Sequence, residues 1–118
     1  MLRVSVPSAS GVARGRRRES PLVYGDLTID VARRTVAVAG RQVALRRREF
    51  DLLAFLARRP GEVFTREDLV AEVWRAPGGV GLSTVTVHIR RLRVLLERDP
   101  SRPRWLETVR GVGYRLRP

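Results

Sequence analysis

The chain has 118 residues, 43% of them hydrophobic, and a formal net charge of +12, with Arg supplying all 24 basic side chains. That balance gives one modest core, excludes a wholly disordered chain, and favours polyanionic partners over small acidic substrates. With no Cys and one His, disulfides, Cys-based zinc sites, Cys nucleophiles and His-rich metal clusters are excluded. No apolar run approaches the roughly 18 residues that span a bilayer. The absence of Lys fits GC-rich coding and leaves the charge intact. Arg is also the better cation for bidentate contacts with phosphate and guanine.

Residues 1–21 are rich in Ser, Gly, Pro and Arg, end near the run Arg16-Arg17-Arg18, and lack the apolar h-region of a signal peptide. They read as a flexible tail or interdomain linker, and nothing in them directs the protein out of the cytoplasm. A folded domain is expected over residues 22–118. Its first part holds short alternating segments: Leu27 and Ile29, then Val36 and Val38, then a turn at Gly40-Arg41 into Gln42 to Leu45. This pattern predicts an antiparallel sheet of three or four strands. A helix follows over residues 47–59, with Phe50, Leu53, Ala54 and Ala57 on one face, Leu52 and Leu56 widening it, and Pro60-Gly61 as its stop. Thr65 is the expected N-cap of a second helix, with Asp68 as its capping-box partner. That helix carries Leu69, Val70, Val73 and Trp74 inward and ends before Pro77. The glycine-rich loop 75–82 separates it from a third helix, which begins at Leu82 or Ser83 and is closed by Asp99-Pro100. Strands over 105–109 and 114–117 end the chain, with Gly111 and Gly113 expected to permit the turn and Arg110 at its tip.

The third helix has two chemically distinct faces. Taking Val85 as zero and ~100° per residue, Ile89, Leu92 and Leu96 all fall within about 40° of it, a narrow core stripe. Ser83, Val87, Arg90 and Arg91 lie opposite, and His88 sits at the edge of the stripe. Such a face can be a solvated surface. Val87 favours a different use, because an apolar residue among arginines suits a thymine methyl better than water. A basic helix beside a basic hairpin matches duplex DNA, the helix in the major groove and the hairpin tip in the adjacent minor groove.

Five segments carry a resemblance in both order and spacing: RREFDLLAFL (47–56), PGEVFTREDL (60–69), Val73-Trp74, TVTVHIRRLR (84–93) and TVRGVGYR (108–115). Together they resemble the winged helix-turn-helix effector domain of OmpR/PhoB-type response regulators over nearly all of residues 22–117. The resemblance implies an α+β fold with an N-terminal antiparallel sheet, a three-helix bundle and a C-terminal β-hairpin wing. It implies that the third helix reads the major groove of double-stranded DNA. Thr84, His88, Arg90 and Arg93 would contact phosphate, with Trp74 supporting them. Arg91 would be the leading base reader, with Thr86 and Val87 close to base edges. Thr108 and Tyr114 would touch the backbone beside the wing, and Arg110 would enter the minor groove. Packing is the rival role for Trp74, His88 and Tyr114. Neither Arg91 nor Arg110 stands where folding is expected to need a cation.

Four positions depart from the family pattern. Ser83 replaces a usual Arg, which removes a phosphate contact and should flatten the salt slope by about one unit. Thr86 replaces a usual Asp, which should alter base preference. Val94 replaces a basic residue, and Arg75 replaces the Gly that follows Val-Trp. The family's phosphorylatable receiver domain is not in this sequence. The chain is therefore expected to be an effector domain without its receiver, acting in transcription regulation. The resemblance also implies RNA polymerase contact through the 75–82 loop and a weak tandem dimer on direct repeats. A cytoplasmic, nucleoid-associated location is expected, with no membrane, cofactor or metal. No paired carboxylates, nucleophile motif or P-loop suggests catalysis. The alternative is a winged helix serving as a nonspecific nucleic-acid or protein-interaction module. RNA fits less well, since its deep, narrow major groove excludes a helix.

Overall fold

The computed structural model describes residues 20–75 and 79–118. The expected tail thus lies outside the described residues, except for Ser20 and Pro21, and so does the 76–78 part of the loop. Four short strands open the fold: β1 (Leu22–Tyr24), β2 (Leu27–Asp30), β3 (Thr35–Val38) and β4 (Arg41–Val43). They pair antiparallel in sequence order. Alternation puts Leu27, Ile29 and Val36 on the inner face, where all three are buried. The β3–β4 turn lies at Ala39-Gly40, one residue before the expected position. Both take positive φ (51° and 80°), as a two-residue hairpin loop with matching twist requires. Val38 then faces Arg41 across the ladder.

Three helices follow, the first packed against the other two. Helix α1 (Arg47–Ala57) buries Phe50, Leu52, Leu53, Ala54, Leu56 and Ala57, the whole expected face. Helix α2 (Arg66–Leu69) begins at the Thr65 cap, whose hydroxyl accepts the Asp68 N–H at 3.0 Å while Asp68 accepts the Thr65 N–H at 2.9 Å. It continues as a wider π-helical turn over Val70–Trp74, closed by the Arg75 N–H on the Val70 carbonyl at 3.0 Å. Helix α3 (Ser83–Leu96) seats Val85, Ile89, Leu92 and Leu96 in the core, the stripe expected from its periodicity.

The chain ends in a hairpin, β5 (Leu106–Val109) and β6 (Gly113–Leu116). Phe64 bridges to Tyr114 through two backbone hydrogen bonds of 2.9 Å, so the hairpin has a one-residue third partner. The two wing glycines have different reasons. Gly111 takes φ +78° in the turn. Gly113 has no unusual φ, but a Cβ there would lie 1.9 Å from the Phe64 carbonyl oxygen, so it allows backbone contact and not the turn.

Two buried polar groups join these layers. Trp105, expected in the strand, precedes it and donates its indole N–H to the Tyr24 carbonyl at 2.9 Å. Glu97, just past α3, accepts the backbone N–H groups of Arg104, Trp105 and Leu106 at 2.7, 2.9 and 2.8 Å. Among the described residues, no helix is long and apolar enough to cross a membrane, and no cluster of His, Cys, Asp or Glu could hold a metal ion.

Candidate nucleic-acid interface

The outward face of α3 is basic with an apolar centre. Val87 is 50% exposed, Ser83 and Arg90 are exposed, and Thr84 and Thr86 are half-buried beside them. Farther along the same helix Val94 and Leu95 are also exposed, at 64% and 40%. These apolar residues lie off the core stripe of the helix, which Val85, Ile89, Leu92 and Leu96 fill.

At the start of α3 the imidazole of His88 lies 2.8 Å, through Nδ1, from the Thr84 carbonyl oxygen. A carbonyl only accepts, so Nδ1 carries the proton and donates. The Thr84 hydroxyl is 3.5 Å from the same nitrogen. Trp74, at the end of the π-turn, meets the His88 ring edge-on, with centroids 5.0 Å apart. Both rings are half-buried. Packing and an open edge are therefore combined in each, where the sequence had posed them as rivals.

Arg93 ties the helix to the wing. Its Nε and Nη2 donate to the Leu106 carbonyl at 3.1 and 2.9 Å, and Nη2 also donates to the Thr108 hydroxyl at 2.7 Å. Burial lowers its pKa. The wing strands carry their own ion pair, with Arg115 Nε on Glu107 at 2.8 Å and Arg117 beside it at 3.3 Å. Tyr114 is half-buried, its backbone held by Phe64. At the turn Arg110 is exposed. Neither it nor Arg90 has an intramolecular hydrogen bond or ion pair among the described residues.

Arg91 differs from the expectation. Its Nε donates to Glu49 Oε2 at 2.6 Å, and Glu49 is a buried carboxylate of α1 with 1% side-chain exposure. Folding does therefore use a cation at this position, because an unpaired buried carboxylate is costly. The second oxygen of Glu49 accepts the Arg46 N–H at 2.8 Å, capping α1. Burial raises the carboxyl's pKa, but the hydrogen bonds from Arg91 and Arg46 and the nearby positive charges outweigh it and hold the pKa below the usual range. Glu49 is not among the residues that the motifs single out. The signal was present: Glu49 precedes Leu52, Leu53 and Leu56 by three, four and seven positions, so an acid lies on the apolar face of a predicted helix.

Thr84, Thr86, Val87, His88, Arg90 and Arg91 lie along the N-terminal part of α3, with Trp74 against His88, and Arg93 joins the wing to the same helix through Thr108. A sheet, three helices and a hairpin, with a basic third helix turned outward, define the winged helix-turn-helix class. The chain belongs to the family of OmpR/PhoB-type DNA-binding effector domains of response regulators: the family model described as "Transcriptional regulatory protein, C terminal" matches residues 40–116. The DNA-binding response regulator MtrA of Mycolicibacterium smegmatis is 44% identical over 110 residues, which cover 90% of this chain and 48% of MtrA. The sensory transduction protein RegX3 of the same species is 45% identical over 95 residues, covering 80% of this chain and 42% of RegX3. The chain thus spans less than half the length of these curated relatives. Among solved structures, the OmpR/PhoB homologue DrrB of Thermotoga maritima superposes with a TM-score of 0.79 at 39% identity, covering 85% of this chain and 45% of DrrB. The DNA-binding domain of Klebsiella pneumoniae RstA, crystallised with the RstA box, gives 0.75 at 33% identity, covering 84% and 98%.

Proposed function

We propose that the chain binds double-stranded DNA with sequence preference and regulates transcription from it. In this reading α3 lies in the major groove, with Arg91 reading bases and Thr86 and Val87 against base edges. Ser83, Thr84, His88, Arg90, Trp74, Thr108 and Tyr114 line the phosphate path, and Arg110 enters the minor groove. Arg93 has a mainly internal role, since Nε and Nη2 are already engaged with the wing. The observation that carries the proposal is the exposed Val87 between Arg90 and Arg91, on a helix whose core stripe is separately filled. The likeness to the RstA DNA-binding domain, crystallised with the RstA box, supports DNA as the partner. RNA polymerase contact through residues 75–82, a weak tandem dimer on direct repeats, and a cytoplasmic location near the nucleoid complete the reading. Residues 1–21 then serve as a tail or an interdomain linker.

Selection from random duplex DNA, run with wild type and Arg91→Ala and followed against salt, tests this. The expected result is a direct-repeat motif that blurs at one base pair in the variant, with a loss of about 1–3 kcal/mol on the best site. Binding that enriches no sequence and depends only on salt would replace the proposal with a nonspecific module.

A further inference from the structure

We infer that Glu49 is a positioning residue for base recognition: it grips the Arg91 guanidinium from inside the protein so that the two terminal nitrogens face outward as a fork. The inference rests on the reading that Arg91 contacts bases. Three observations carry it. The contact is made through Nε, at 2.6 Å, and no intramolecular partner of Nη1 or Nη2 accompanies it among the described residues. Those two nitrogens are the parallel donors that match O6 and N7 of guanine. The pair also straddles the boundary of the fold, with Glu49 at 1% and Arg91 at 42% side-chain exposure. One end is therefore fixed in the interior while the other meets solvent. Finally, α3 contains no Asp or Glu, so no acid on the reading helix itself can orient Arg91.

A free arginine side chain has to surrender its rotamer freedom on reaching a base. Holding Nε against a carboxylate that is itself fixed by the Arg46 N–H removes much of that loss before DNA arrives. It also forces end-on approach, because the Nε edge is occupied. Glu49 never touches DNA in this arrangement. It sharpens discrimination, which a purely structural carboxylate would not.

The test uses Glu49→Gln, which puts an NH2 donor where one of the two carboxylate oxygens now accepts from Arg46 N–H or from Arg91 Nε. The readout is the ratio of affinities for the selected site and for random duplex at one salt concentration. The expected result is a fall of about tenfold in that ratio. Arg91→Ala should lower it at least as far, and the double variant no further than Arg91→Ala. If Arg91→Ala lowers the ratio and Glu49→Gln does not, the positioning role is overturned and base reading by Arg91 stands. If Arg91→Ala itself leaves the ratio unchanged, the base-reading assignment has failed and this inference goes with it. Should Glu49→Gln not fold, the Arg91 Nε–H resonance of the wild type decides. It should be protected from solvent exchange both free and on the selected site. Loss of that protection on binding would show that the pair opens, and would overturn the inference.

Discussion

Arg75 closes the π-turn in the left-handed region, with φ 52° and ψ 39°, a conformation that costs a residue with a Cβ roughly 1–2 kcal/mol. Glycine would relieve that strain and give back about 0.5–1 kcal/mol through its freer unfolded chain. Among the described residues the side chain makes one long hydrogen bond, Nε to the Glu72 carbonyl at 3.4 Å. Arg75→Gly should therefore stabilise the domain by about 0.5–1 kcal/mol, read as a higher urea midpoint at unchanged slope. A lower midpoint would mean that the arginine makes interactions worth more than its strain. The same position shows what the residue scale hides. The substitution of Arg for the usual Gly was visible in the sequence as a departure, but the sign of φ that gives it meaning was not.

Among elements, the hinge between α3 and the wing depends on one carboxylate. Glu97 takes three backbone N–H groups of the segment that leads into β5. Glu97→Ala should cost about 2–5 kcal/mol in equilibrium unfolding. A loss under about 1 kcal/mol would show that water replaces the carboxylate without penalty. The elements themselves were largely readable. The stripe of α3, the apolar face of α1 and the Thr65–Asp68 cap are local patterns with a fixed period or spacing, and each is found where the sequence put it. The unread features are those that join distant segments. Glu49 and Arg91 are 42 positions apart, and the reason for Gly113 lies in Phe64, on the far side of two helices. Strand β1 and the displaced Ala39-Gly40 turn were blurred because short strands carry little periodic signal. The π-turn leaves no pattern, since the helix ends with it and no further turns follow to show the shifted register.

Across the whole molecule, acid acts through a few paired carboxylates. Burial raises the Asp51 pKa, but hydrogen bonds and charge from Arg34 and Arg48 outweigh it and leave it lowered. Glu49 is lowered likewise. Hydrogen bonds from Arg115 and then Arg117 lower Glu107, and Ser101 lowers Asp99. Each lowered group binds its proton more readily in the unfolded chain, so its stabilisation is complete above the ordinary carboxylate pKa of about 4. It is lost as pH falls through the folded value. Unfolding free energy should stay level from about pH 7 to 5 and decline steadily below about pH 4, with a net charge of +12 growing more positive as it does so. Urea midpoints measured down to about pH 3 check this; stability that holds or rises on acidification would contradict it.

Arg93 binds the wing's first strand directly to α3, and Glu97 fixes the segment between them. Helix and wing tip are thus the two jaws of a caliper whose opening the protein sets. On the proposed docking, a duplex gripped by both would have to match that opening or be deformed to match it. The energy of that deformation varies with base sequence even where no side chain touches a base. Some of the preference for one stretch of DNA over another would then be written in the stiffness of base pairs between the jaws, at positions that substitution on α3 would leave unchanged.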